Sequence, residues 1–257
     1  MFGLSFITTA VNLLALAASV WLGFYIVTRS PHSRLSWMSV LTLWALAGFF
    51  LHNALAINVP NSGVLPWLRH MVIIILPLWY HLTLLLLPER TRLSPPNILG
   101  LILAYGAAGV LVAIAIFDTE LLSDASVDPA IFTTGRSAGP LYFVFVLFLF
   151  VLGSLSLFNL WRGRRLAHNA TLRRRFTSLL IATGLAYAGA LYTTLGIGFQ
   201  VSIPTLPGDA AMGTGVILLG FAVARYNALL EGRRIERDFL YTAVAVGSLT
   251  TFYVAVT

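Results

Sequence analysis

The sequence predicts an all-α polytopic membrane protein, in which seven transmembrane helices form a bundle and an eighth apolar segment follows. Composition is the first reason. Of all residues 58% are hydrophobic and 10% are charged, and the mean hydropathy is +0.88, whereas a soluble domain carries about 25% charged residues. The second reason is that apolar residues fall in runs of about 20, the length that crosses a bilayer as a helix. The third is the placement of the arginines between those runs.

Eight segments have the length and composition of a membrane span. They cover residues 6–27, 36–56, 64–87, 97–117, 140–161, 176–198, 210–226 and 239–256. The first is predicted to be a retained helix, because no basic residue precedes it and its apolar run is too long for a signal peptide. Small residues four positions apart in the fourth and sixth spans favour close packing between helices. They are Gly100, Ala104 and Ala108 in the fourth span, and Ala182, Gly184, Ala186, Ala188 and Ala190 in the sixth.

The arginines indicate which way the helices run. The chain contains no lysine, so its 16 basic residues are all arginines, and only Arg69 and Arg136 lie away from the odd-numbered connections between spans. The even-numbered connections carry acidic residues instead: Asp118, Glu120, Asp124, Asp128 and Asp209. Because basic loops remain in the cytoplasm, this pattern predicts an N-terminus outside the cytoplasm.

Composition and missing motifs exclude several kinds of chemistry. The chain has no cysteine, which excludes disulfides, thiolate metal sites and cysteine nucleophiles, and its lack of lysine excludes a retinal-type Schiff base. It contains no phosphate-binding glycine loop, no serine-hydrolase motif and no metalloprotease motif. We therefore expect no catalytic residue, no cofactor and no metal. The net charge of +7 sits beside the spans, where arginine sets topology, so no nucleic-acid partner is expected.

Polar side chains are predicted to meet near the outer ends of several spans. An ionisable group at membrane depth is costly, so each one marks a candidate site. The second and third spans run antiparallel, which places His52 and His70 at a similar depth. The candidate ligand-binding residues are His52, Asn53, Trp67, Arg69, His70 and Tyr192. The alternative is an interfacial role, with the aromatic rings in the headgroup belt, Arg69 extended to water and the histidines bonded to backbone.

His81 lies three helical turns after His70, on the same face of the third span. Bis-histidine haem ligation would need a matching histidine on a facing helix at each level, and no histidine matches His81. We therefore predict that His81 packs with Trp79 and Tyr80 near the cytoplasmic interface.

Three stretches resemble the N-terminal seven-transmembrane sensor region of bacterial histidine kinases. Residues 41–49 (LTLWALAGF) resemble its second span, which has a central tryptophan. Residues 68–87 (LRHMVIIILPLWYHLTLLLL) resemble its third, with an outer arginine and a Pro-x-Trp, and residues 219–230 (LGFAVARYNALL) are similar to its exit from span seven. The resemblance implies a sensor of the bacterial inner membrane, which couples an extracytoplasmic or intramembrane signal to the cytoplasmic signalling domains of a two-component system.

Under this interpretation residues 1–230 form the seven-helix sensor region, and residues 231–257 form a juxtamembrane linker and the eighth apolar segment. The seventh span is expected to continue as helix over residues 216–238. The chain has no phosphoacceptor-histidine segment and no glycine-rich ATP lid. We therefore expect no kinase activity from it. We favour a fragment of a longer sensor, cut inside the eighth segment, and the alternative is a chain that ends outside after that segment.

The expected partners are the lipid bilayer, an unidentified small-molecule or lipid-like ligand, and a second copy in a homodimer. Two other functions stay open. One is a carrier or channel-like protein, although no acidic residue is expected inside a span, where coupled carriers usually keep one. The other is a structural membrane subunit.

Overall fold

The computed structural model describes residues 2–59, 68, 70–124, 137–201 and 203–230. Seven long helices account for most of these residues. They are α1 (Phe2–Arg29), α2 (Arg34–Asn58), α3 (Met71–Leu85), α4 (Pro95–Phe117), α5 (Tyr142–Leu166), α6 (Ala170–Gly198) and α7 (Leu206–Leu230). Short helical turns cover Glu89–Arg92 and Thr119–Leu122, and two-residue strands β1 (Ser123–Asp124) and β2 (Ser137–Ala138) pair antiparallel.

The predicted all-α class is confirmed by these helices. Five of them, α1, α2, α4, α5 and α6, are long and apolar enough to cross a membrane, while α3 and the Leu206–Ala222 part of α7 are shorter apolar helices. The predicted eighth segment, and the part of the exit helix after residue 230, lie outside the described residues.

The start of α6 differs from the prediction by two turns. The sequence suggested a loop of arginines up to Arg175, but α6 begins at Ala170 and the side chain of Asn169 accepts a hydrogen bond of 2.7 Å from the amide of Leu172. Asparagine is a strong N-cap and arginine is a good helix former, so the helix extends into the basic segment. The connection between α5 and α6 is therefore short, and all six of its predicted arginines lie within the two helices.

The start of α7 also differs, and this difference matters for function. The seventh span was predicted at residues 210–226, but α7 begins at Leu206 and the amide of Asp209 donates to the carbonyl of Thr205 at 3.0 Å. Proline is well tolerated in a first helical turn, since the amide it lacks has no partner there. Asp209 is therefore a helical residue and not a loop residue, which corrects the expectation that the apolar helices contain no acidic group.

The long helices pack around a shared apolar core. Six form a closed ring in the order α1, α2, α3, α5, α6 and α7, and α4 packs on the outside of α3. Each ring helix contributes to one buried cluster, which includes Leu22, Phe50, Trp79, Leu160, Leu179 and Val216. Large apolar side chains also cover outward faces, for example Ile102 (63% exposed) and Leu147 (61% exposed), as expected where the solvent is lipid.

The small residues of the sixth span lie against α7. A Cβ atom added to Gly215 would lie 2.6 Å from the carbonyl oxygen of Ala182 and 2.6 Å from the amide nitrogen of Ala186. The two backbones therefore approach too closely for a side chain to lie between them. The predicted close packing is confirmed at this contact, and in α4 Ala104 and Ala108 are buried as well.

The two ends of the bundle differ in charge. We call one end the arginine end, because it carries Arg34, Arg90, Arg92, Arg162, Arg164, Arg165, Arg173 and Arg174. The opposite end holds the start of α1, the end of α2 and the start of α7. We call it the aspartate end after Asp209.

Candidate functional site

Asp209 lies in the first turn of α7, and only 2% of its surface is exposed. Its two carboxylate oxygens accept hydrogen bonds from two different helices. The amide of Asn12 on α1 donates to Oδ2 at 3.0 Å, and the amide of Asn53 on α2 donates to Oδ1 at 3.3 Å. One side chain thus joins the first, second and seventh helices at the aspartate end.

Further polar contacts lie at the same end of the bundle as this triad, which consists of Asn12, Asn53 and Asp209. Asn12 is completely buried, and its Nδ2 also donates to the carbonyl of Thr8 at 2.9 Å. Its Oδ1 accepts no hydrogen bond from any described residue. One turn further along α2, Asn58 donates to Oγ1 of Thr9 on α1 at 3.0 Å, so a second polar contact joins the same two helices.

The chemistry of the triad follows from its burial. No arginine or histidine in the described part of the chain forms an ion pair with Asp209. Two amide donors are the partners that the structure gives it, and a carboxylate in such a place is costly unless every lone pair is satisfied. The carboxyl is therefore a group to which a proton, a cation or a hydrogen-bond donor that reaches this end could bind.

Of the residues predicted as ligand contacts, one belongs to this triad, one packs next to it, and two are buried at the same end of the bundle. Asn53 belongs to it directly. The ring of Tyr192 packs beside Gly208, the residue before Asp209: a Cβ atom on Gly208 would lie 3.2 Å from Cδ1 of that ring. His52 and His70 are buried at the same end of the bundle, with 4% and 8% of their surfaces exposed.

Trp67 and Arg69 lie outside the described residues. The ligand-binding role of all six predicted residues stays a prediction.

Asp209 and Asn12 are the residues that sequence reasoning missed. Asn12 had a visible signal, since it is the one amide side chain in the first apolar segment. No such signal marked Asp209 as a helical residue, because the Pro-Gly pair that precedes it is also typical of a loop. Asn12 and Asp209 are 197 residues apart in the chain, and only the packing of α1 against α7 shows that they form a pair.

Polar contacts elsewhere in the bundle join other helices. His81 Nδ1 lies 3.2 Å from the hydroxyl of Tyr105 on α4. Its polar partner is therefore on α4, whereas Trp79 and Tyr80, with which it was predicted to pack, are buried in two different apolar clusters. Asn159 on α5 donates to Oγ1 of Thr83 on α3 at 3.2 Å. Within the described residues no group of three or more His, Asp or Glu side chains is placed to hold a metal ion.

These features are those of a multi-pass α-helical membrane protein with a buried polar site near one end. Comparisons with protein-family models, curated proteins and solved structures find no match. The resemblance to histidine-kinase sensor regions therefore rests on residues 41–49, 68–87 and 219–230 alone.

Proposed function

We propose that the chain is a sensory input module, which passes a signal received at the aspartate end through α7 to the cytoplasmic side. The observation that carries this proposal is the position of Asp209. It lies in the first turn of α7 and holds that helix to α1 and α2. The same helix continues to Leu230, at the other end of the bundle.

The mechanism follows from the contacts of α7 along its length. At the aspartate end α7 is held by two hydrogen bonds, and further along it packs on α6 through backbone at Gly215. A ligand that competes for Asp209 would favour a bundle in which α7 sits differently against α1 and α2. Because packed interfaces shift between discrete arrangements and do not deform continuously, the change at one end becomes a movement of the whole helix.

The ligand class is inferred from the polar groups at the aspartate end. A carboxylate bonded to two asparagines, with two buried histidines at the same end of the bundle, suits a small polar molecule with hydrogen-bond donors, or the polar head of a lipid-like molecule. Seven spans, an N-terminus outside the bacterial inner membrane, and a homodimer complete the proposal. They are supported by the arginine pattern and by the family resemblance.

A reporter chimera tests transmission. Residues 1–237 are fused to a reporter kinase, and output is compared for the parent and Asp209→Asn. If Asp209 controls the position of α7, the two should differ in output.

Adding Asn227→Gly with Ala228→Pro should remove that difference, because proline breaks a helix at a cost of about 3 kcal/mol. Asn227→Ala with Ala228→Leu is the matched control and should preserve the difference. A difference that survives the Gly-Pro pair would refute transmission through α7.

The buried carboxyl also supports a second candidate, a proton- or cation-coupled carrier, because such carriers keep an acidic group within the membrane. Proteoliposomes that enclose a pH-sensitive dye separate the two functions. If an imposed pH gradient collapses, and if that collapse requires Asp209, the result would favour the carrier. An intact gradient, together with an Asp209-dependent reporter output, would favour the sensor.

The proposed orientation makes a prediction of its own. Single cysteines at Ser123 and His168 lie at opposite ends of the bundle, after α4 and after α5, and His168 is exposed. An impermeant thiol reagent applied to intact cells should label Ser123→Cys and should not label His168→Cys, because the arginine end is expected inside. Labelling of both positions after cell lysis is the control. Labelling of His168→Cys alone in intact cells would reverse the orientation.

A further inference from the structure

A basic cleft lies at the arginine end, between the last turn of α5 and the first turns of α6. Its volume is about 400 Å³, and it is lined by Trp161, Arg164, Arg165 and Arg173. The guanidinium carbon of Arg165 lies 3.8 Å from the centre of the Trp161 ring, so this arginine is stacked and oriented.

The cleft concentrates positive charge that the described protein does not neutralise. None of Arg164, Arg165 and Arg173 forms an ion pair with a described acidic residue. At this end of the bundle the described ion pair is that of Arg92 with Glu89, at 3.7 Å, within a separate helical turn. Three guanidinium groups around one cleft, none of them paired with a described carboxylate, form a suitable site for an anion.

A path of aromatic side chains leads from the lipid-facing surface to this cleft. Phe158 is 52% exposed on α5, and its ring centre lies 5.7 Å from that of Trp161. Trp161 in turn stacks on Arg165. Residues three and four positions apart on a helix share a face, so one side of α5 changes from apolar to aromatic to cationic within two turns.

We propose that this cleft binds the phosphate group of an anionic phospholipid, with the acyl chains along Phe158 and the glycerol region beside Trp161. Guanidinium groups bind phosphate oxygens through paired charge-assisted hydrogen bonds, and tryptophan favours the headgroup level of a bilayer. The aromatic path favours a lipid over a free phosphate ion, because a free ion has no apolar group that could contact Phe158 and Trp161.

The chain supplies a matched control for the test. Arg162 and Arg174 belong to the same two helix ends but do not line the cleft, and Arg90 lies at the same end of the bundle. A cleft variant with Arg164→Gln, Arg165→Gln and Arg173→Gln removes the same charge as a control variant with Arg90→Gln, Arg162→Gln and Arg174→Gln.

The experiment is native mass spectrometry of the full chain in detergent, titrated with phosphatidylglycerol or with phosphatidylcholine. We expect the parent to prefer phosphatidylglycerol. The cleft variant should lose that affinity by about tenfold or more, and the control by about threefold or less, because charge-assisted contacts are short-ranged. Equal losses in the two variants would overturn the proposal, since they would show a diffuse charge effect.

One further measurement distinguishes a lipid from a free anion, and another replaces the triple variant if it does not fold. Inorganic phosphate at millimolar concentration should not displace phosphatidylglycerol, and displacement would assign the site to a free anion and overturn the lipid. If the triple cleft variant fails to fold, Arg165→Lys and Arg165→Gln replace it. Lysine keeps the charge but lacks the planar fork, so both should weaken binding, lysine less than glutamine. Unchanged binding in both would overturn the proposal.

Discussion

Asp209→Leu is expected to lower the free energy of unfolding by about 2–4 kcal/mol, because it removes the acceptor of two amide donors, each worth about 1–3 kcal/mol when left unpaired in a buried site. Asn12 is completely buried and cannot turn to solvent, so most of the loss arises there. For a chain of this size the change corresponds to a fall in Tm of about 5–10 °C. Thermal unfolding in detergent, followed by the loss of helical circular dichroism, measures it.

Two variants control this experiment. Asp118→Leu makes the same substitution at an exposed aspartate that follows α4, and it should leave Tm within about 2 °C of the parent, as surface substitutions usually do. Asp209→Asn keeps one carboxamide oxygen and should lose roughly half as much as Asp209→Leu, since one of the two acceptors is retained. If Asp209→Leu unfolds at the temperature of the parent, the triad does not hold the three helices together.

Gly215→Ala is expected to destabilise the bundle although alanine is the better helix former. The added Cβ would lie 2.6 Å from backbone atoms of both Ala182 and Ala186 and 2.8 Å from the Cβ of Ala186. Backbone atoms cannot rotate away as a side chain does, so α6 and α7 must separate. Overpacking of this kind costs about 1–3 kcal/mol, and with rigid neighbours the upper part of that range applies, against a helix-propensity gain of about 1 kcal/mol. The net result is a fall in Tm of about 3–8 °C.

Gly106→Ala is the matched control for Gly215→Ala. Gly106 is also inside a long apolar helix, α4, but a Cβ atom there meets nothing within 4 Å. The same substitution should therefore leave Tm unchanged or raise it slightly, since only the gain in helix propensity remains. A fall of equal size at both positions would mean that contact with α6 does not explain the loss at Gly215.

The two largest expected effects concern the same helix. Asp209 holds the start of α7 to α1 and α2, and Gly215 holds its middle to α6, six residues further on. A variant that weakens either contact changes the environment of the helix through which the signal is proposed to pass. We therefore expect both to alter the output of the reporter chimera, while Asp118→Leu and Gly106→Ala should not.

Much of the architecture was available from the sequence because a bilayer imposes strict rules. A helix that crosses lipid must satisfy its own backbone and present apolar side chains over about 20 residues, so composition and run length locate it. The long apolar helices other than α3 consequently begin and end within a few residues of the predicted spans, except where capping intervenes. α3 begins at Met71, and residues 64–67 and 69 of its predicted span lie outside the described residues. Asn169 starts α6 two turns early, and the tolerance of a first turn for proline starts α7 at Leu206. These shifts of a helix start depend on single residues, and the mean hydropathy of a segment of about 20 residues does not show them.

The sequence by itself determined the class of the protein, the approximate helix positions, the arginine-rich end and a set of polar residues near the opposite end. Only the tertiary structure decided which polar residues meet. Asn53 was predicted as part of a site, but its partner Asp209 lies 156 residues away and had been assigned to a connection between spans. Hydropathy is a local property of the chain, whereas a hydrogen bond between α2 and α7 depends on the order in which the helices pack around the ring. Packing order follows from the fit of side chains along every interface at once, and no single segment encodes it.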